Sequence, residues 1–435
     1  MINEIFEALL YISSFFTSFW ILLQVFYFKT SLEISIKEEN KLSEIINNKE
    51  EKEKRKIDII VAIKNENEKV IKELIDNLSR LDYEPYEVII VSDDTEEHFN
   101  KIIQYIGNIP NNIKIIRRQN NEGRKAGALN YALNFSNGDL LVFLDAEARV
   151  DKKFLRKVAE LNYDAIAFRL KIREPITPTQ KTYAYMTEFV MDSLFKSRQK
   201  LGLIIFPNGS SFAVKRSVLD TIGGWKNGAI AEDLELGIRL ALNNIRVKYV
   251  DDIIIYSLAP FNNVDLYNQI RRWAYGSAEL FISSAKLLKF GLKGFEGFIY
   301  TQQWAIYPLY LIILLITLSL QFVLKIPYSI ILGSLSLIIF SIILYGVLIR
   351  PKGDYRSAMI TTLASLIGYV EGILKMKFNW KVTPKELDKK EESILGIKIL
   401  GLILAVSAYV NSLFNNIFSS ILLILISISL LLLQF

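Results

Sequence analysis

LLVFLDAE, residues 140–147, is an apolar run of strand length that stops on two carboxylates at alternate positions, Asp145 and Glu147. A strand buried on both faces reads as such an unbroken run, and open α/β sheets present ligand-binding groups at the carboxyl ends of their strands. VIIVSDD, residues 88–94, repeats the arrangement and ends on Asp93 and Asp94. Around these lie a strand Ile57–Ile63, a helical stretch Glu66–Leu81, a helix Glu96–Ile106, a short strand Ile113–Ile116 and a helix Lys125–Phe135. Strands separated by helices predict a mostly parallel, Rossmann-like α/β sheet.

A third acidic pair, Glu232-Asp233, opens a helix ending near Asn243, where the macrodipole favours acids. The chain has no cysteine and one histidine, His98, which lies beside Glu96 and Glu97 and reads as a solvated helix residue. Disulfides, thiolate nucleophiles and Cys/His metal sites are thereby excluded, and acid–base work falls to Asp, Glu, Lys or Tyr. Asp145 and Glu147 can share one hard cation, Mg²⁺ or Mn²⁺, together with substrate phosphates. Asp93-Asp94 reads either as a binding pair or as a turn capping the next helix.

Other strings carry two readings each. GRKAG, residues 123–127, is a diphosphate cradle at a helix N-terminus or a basic surface loop. NGSS at 208–211 and GGW at 223–225 offer backbone donors and an aromatic face, or are structural turns. QIRRW at 269–273 combines arginine, suited to phosphate, with tryptophan, suited to a sugar ring, or forms an interfacial belt. No Gly-x-Gly-x-x-Gly follows the first strand and no P-loop string occurs, which disfavours dinucleotide oxidoreductases and P-loop nucleotidases.

Half the chain (51%) is hydrophobic. Ala8–Phe28 carries no charge and matches a ~30 Å hydrocarbon core, so it is expected to anchor the chain. Further spans are expected at 298–322, 328–349, 394–410 and 417–433, with 358–376 lying on the interface. The net charge of +6 is concentrated beside these runs, at Lys52, Lys54, Arg55, Lys56 and at Lys375, Lys377, Lys381, Lys385, Lys389, Lys390. Such flanks point to a lipid bilayer and away from nucleic acid. The expected organisation is an N-terminal transmembrane helix (1–30), a charged linker (31–56), a catalytic domain (57–285) and C-terminal transmembrane and interface helices (286–435). Five crossings would put the N-terminus outside and the catalytic domain on the cytoplasmic side of the cell membrane.

Taken in order, FLDAE at 143–147, the Glu-Asp of 232–233, Gln-x-x-Arg-Trp at 269–273 and WKVTPK at 380–385 resemble the membrane-integrated family 2 glycosyltransferases of the cellulose, hyaluronan and chitin synthase type, over about residues 57–385. The resemblance implies a GT-A catalytic domain using a nucleotide-diphospho-sugar, expected to be a UDP-sugar, with Mg²⁺ or Mn²⁺. It implies that Asp94 meets the base, Lys125 the nucleotide, Asp145 the nucleotide-sugar, and that Glu147, with Asp145, meets the metal. Asp233 would be the catalytic base, Gln269 and Arg272 would hold the diphosphate, and Glu232 and Trp273 would meet the acceptor. Trp380, Val382, Thr383 and Lys385 match the family's gating loop. Four departures stand out: Glu147 replaces the second Asp of Asp-x-Asp, Ile270 stands where Gln or Arg is usual, Lys64 alters the first strand's end, and Trp380 replaces a Phe. The leading expectation is an inverting, processive synthase that passes a polysaccharide through its own spans. The alternatives are a non-processive transferase acting on a membrane lipid and a non-catalytic binding or transport module.

Overall fold

In the computed structural model, which describes residues 2–38, 55–377 and 395–433, eight strands form one sheet. They are β1 (Ile57–Ile63), β2 (Tyr86–Ser92), β3 (Ile113–Arg117), β4 (Leu140–Leu144), β5 (Arg149–Val150), β6 (Ala165–Ile172), β7 (Ser211–Lys215) and β8 (Val247–Ser257). Their order across the sheet is β3-β2-β1-β4-β7-β6-β8-β5. β1 to β4 are mutually parallel, as the strand–helix alternation predicts. The second half differs. β7 follows a long helical excursion and runs antiparallel to both β4 and β6, β6 and β8 are parallel, and β5 is antiparallel to β8. The sheet is therefore mixed.

Alternation along the central strands supplies both cores. Ile57, Ile59, Val61, Val88, Ile90, Leu140, Val142 and Leu144 pack on one face, while Ile60, Ile89, Val91, Leu141 and Phe143 pack on the other. Each such side chain removed from water contributes about 1.5–3 kcal/mol. The register decides where the chemistry emerges. Ile63 pairs with Ser92 and Val61 with Leu144, so the residues following β1, β2 and β4 leave the sheet at one edge.

Among the described residues three helices are long and apolar enough to cross a membrane: Ile2–Glu33 of the helix Ile2–Glu38, Tyr328–Ile349 and Leu395–Leu413. The first helix runs past the expected boundary at residue 30 into the expected linker. The span expected at 298–322 is instead two helices, Leu292–Thr301 and Gln303–Ser319, bent by 69°. Buried Gln302 lies at the break, where its amide donates to Ser277 O and Ser284 Oγ and accepts from Tyr369 OH at 2.7–3.1 Å. The last apolar helix, Ile417–Leu431, has 15 residues, about 22 Å of rise against a ~30 Å core. Three to four span-competent helices among the described residues thus replace the five expected. The helix Tyr355–Ile373 is not one of them. It packs through Ile360, Leu363 and Ala364 against Leu266, Tyr267 and Ile270 of the helix Asn263–Glu279.

Candidate active site

The apolar strands end where the charge begins. Lys125, in the first turn of the helix Arg124–Leu133, reaches Asp145 Oδ1 beyond β4 (2.9 Å) and Glu232 Oε1 (2.8 Å), and donates to Gly209 O (3.3 Å). Burial alone would lower its pKa, yet the Asp145 and Glu232 carboxylates outweigh that and hold it above the ordinary lysine range. Lys125 therefore stays charged and ties three elements together.

Asp233 follows Glu232 on the helix Glu232–Leu242. Its two oxygens accept from Gly209 N and Leu234 N, each at 2.7 Å. A Cβ at position 209 would lie 2.9 Å from Asp233 Oδ2, so glycine is what lets the backbone donor approach. Burial, then the neighbouring Glu232 carboxylate, push Asp233 up to about 6, against the opposing pull of Lys125 and the two N–H donors. A carboxylate poised there can take a proton near neutral pH.

On the helix Asn263–Glu279, Gln269, Arg272 and Trp273 share one face by their i, i+3, i+4 spacing and line the same cavity as Lys125, Asp145, Glu147, Glu232 and Asp233. That cavity holds about 1370 Å³, beyond the roughly 300–1,000 Å³ of a single small-ligand pocket. Gln269 Oε1 is buried with no hydrogen-bond partner among the described residues. Trp273 stands against Trp304, ring centroids 5.6 Å apart. Of the two intervening residues, Ile270 also borders the cavity and Arg271 does not. Ile270 is buried between helices, and Arg271 forms a two-pronged pair with Glu371 of the helix Tyr355–Ile373, both contacts at 2.6 Å.

Several expected residues stand differently. Asp94 is buried and is not among the lining residues; its carboxylate accepts from Asn65 N and Ser92 Oγ and braces the turn after β1. Asp93 does border the cavity, but its carboxylate is clamped by buried Arg118 through two 2.6 Å contacts. The next helix is capped by Thr95, not by this acidic pair. Trp225 is buried against Phe143 and Phe212, so the GGW string is structural. His98 is not simply solvated, since its Nε2 lies 3.0 Å from Glu66 O. Trp380, Val382, Thr383 and Lys385, expected to form a gating loop, lie outside the described residues.

Two participants carry no sequence signal. Tyr183 lines the cavity, its pKa raised by burial and by Glu147, with Arg272 and Gln269 pulling the other way. Glu371 lies 100 residues from the arginine it holds.

Comparison with known proteins fits this geometry. The Glycosyl transferase family 2 model matches residues 58–223 and the Cellulose synthase model matches 214–350. A probable glycosyltransferase of Sulfolobus acidocaldarius is 31% identical over 78% of this chain and 80% of its own. The chain belongs to glycosyl transferase family 2. Another member, the poly-beta-1,6-N-acetyl-D-glucosamine synthase of Staphylococcus aureus, is 27% identical over 66% of this chain and 70% of its own. The beta-monoglucosyldiacylglycerol synthase of Trichormus variabilis is 30% identical over 52% of this chain and 50% of its own. Among solved structures, the mannosyltransferase PcManGT from Pyrobaculum calidifontis, in complex with GDP-Man and Mn²⁺, superposes with a TM-score of 0.53 over 86% of this chain and all of its own, at 18% identity. That likeness shows a shared GT-A fold. This chain is accordingly a family 2 enzyme with apolar helices at both ends that can span a membrane.

Proposed function

We propose that this enzyme transfers a sugar, with inversion, from a nucleotide-diphospho-sugar to a hydroxyl of an acceptor held at the membrane face. The observation that carries the reading is the convergence on one cavity of Asp233, the Lys125–Asp145–Glu232 cluster and the Gln269, Arg272, Trp273 face. Asp233 takes the proton of the acceptor hydroxyl as that hydroxyl's oxygen bonds to the anomeric carbon and the bond from that carbon to the diphosphate breaks. Gln269 and Arg272 orient the diphosphate, Trp273 stacks on the acceptor, and Glu232 keeps Lys125 in place beside Asp145.

The donor set suits a divalent cation. The cavity wall carries Asp145, Glu147, Glu232 and Asp233 against Lys125 and Arg272, and a diphosphate meets this acidic excess unfavourably without a counter-charge. No group of three His, Asp or Glu side chains converges among the described residues, so Asp145 and Glu147 would hold Mg²⁺ or Mn²⁺ together with donor phosphates. When bound, the cation neutralises charge on the leaving diphosphate.

Purified full-length protein, given Mg²⁺ or Mn²⁺ and a panel of UDP- and GDP-sugars, should consume at least one donor and build a glycosidic product. Donor turnover equal in parent and Asp233→Asn would sink the reading. Sizing the product decides whether one sugar or many are added.

A further inference from the structure

The cavity that holds the carboxylates continues past Trp273 into a cleft between helices, where its lining includes Trp20, Phe28, Phe189, Ile342, Tyr345 and Ile349. Positions 342, 345, 346 and 349 form one face of the helix Tyr328–Ile349. Gln24 and Tyr307, polar side chains in this part of the lining, satisfy each other at 2.8 Å.

Ile342 both lines the cleft and is 54% exposed. The cleft therefore opens sideways, onto a helix whose neighbouring Ile339, Ile343 and Val347 are also exposed and which is long and apolar enough to cross a membrane. That helix ends at Ile349 and is followed by Arg350 and Lys352, cations of the kind that mark the headgroup level. About 10 Å of helix rise separates Ile342 from Ile349, so the cleft runs from the hydrocarbon side up to the headgroup level, as part of the cavity that Asp233 also lines. A glycan led out past the exposed Ile342 face would leave its hydroxyls unsatisfied against lipid there. An alkyl chain would not.

We propose that this lateral cleft seats the apolar tail of a lipid acceptor whose hydroxyl-bearing head reaches Asp233. The inference deepens the glycosyl-transfer reading and rests on it; the bonds made and broken are the same, with the head hydroxyl as the attacking oxygen.

Gly346 provides the test, because it lines the cleft and a Cβ there meets nothing within 4 Å. A large side chain at this position projects into the cleft without displacing backbone. Full-length protein in detergent micelles containing polar lipid extract, supplied with labelled nucleotide-sugars, should move label into the organic phase. With alkyl glycosides from methyl to dodecyl as acceptors, the parent's acceptor KM should fall as the tail lengthens. Gly346→Trp should remove that dependence and raise the KM for the longest tail at least about tenfold, equivalent to withdrawing about two methylenes from apolar surroundings. Gly346→Ala should behave as the parent.

Donor hydrolysis in the absence of acceptor, unchanged in Gly346→Trp, reports an intact catalytic site; if it is lost, Gly346→Leu takes the place of the larger residue with the same readout. Tail-length dependence that persists in the blocked variant, or label found only in a polymer that resists organic extraction, overturns the proposal. Absence of any donor turnover in the parent fails the glycosyl-transfer reading itself and this inference with it.

Discussion

The two walls of the cavity are built on opposite principles. The strand-end wall is a closed electrostatic circuit, in which Lys125 joins Asp145 to Glu232 and two backbone donors orient Asp233. The helical wall around Trp20, Phe189 and Tyr345 is mostly apolar. Charges fixed in advance at one wall need no reorganisation when charge develops in a reaction, whereas apolar area at the other gives retention without direction. The difference teaches that chemistry and acceptor capture can be perturbed separately.

The largest expected effect falls on the charged wall. Asp233→Asn should lower kcat by about 10²–10⁴-fold, the usual worth of a positioned general base, while leaving nucleoside diphosphate binding measurable by calorimetry. Loss of both together would argue that Asp233 holds the donor instead. Next in size, Trp273→Ala should weaken acceptor engagement by about 1–3 kcal/mol if a sugar stacks there, seen as a raised acceptor KM at constant donor affinity. The charged wall should also respond to pH. A base raised to about 6 is protonated and inactive below that value, so kcat/KM should fall about tenfold per pH unit beneath pH 6 and level off above it. A flat profile down to pH 4.5 would break the link between burial of Asp233 and its task.

Legibility in the sequence followed the same division. The strands Ile57–Ile63 and Leu140–Leu144 and the helix Glu96–Ile106 are observed where their patterns place them, because the strands are short, mostly apolar runs closed by charged residues and the helix follows a capping Thr95. β6 to β8 were not legible, since their direction depends on how far the chain travels between them and not on local pattern. Motif order brought Lys125, Asp145, Glu232, Asp233, Gln269, Arg272 and Trp273 to one cavity. It could not separate Asp93 from Asp94, because which of two adjacent acids finds an arginine is decided by Arg118, a residue of another loop. Nor could it show that the apolar segment at 298–322 breaks, since the partners of Gln302 at the break, Ser277 and Tyr369, lie on other helices.

The smallest effect is the one that most sharpens the comparison, because it acts on the seam between the walls. Arg271 takes no part in lining the cavity, yet its pairing with Glu371 fixes the roll of the helix that carries Gln269, Arg272 and Trp273. The helices also touch backbone to backbone, since a Cβ at Gly368 would lie 2.2 Å from Arg271 O. The pair is therefore a positioning element. Glu371→Gln keeps one acceptor but removes the charge, at a cost of about 1–2 kcal/mol. A contact that only stabilised the fold would lower Tm and leave kinetics alone. Positioning predicts instead that donor and acceptor KM rise together by a few-fold with kcat nearly constant, because Gln269 and Arg272 lose aim at the same moment as Trp273. The exchange Arg271→Glu with Glu371→Arg should recover part of that loss. If Tm recovers in the exchanged protein while both KM values stay raised, the pair holds the helices together without aiming the site.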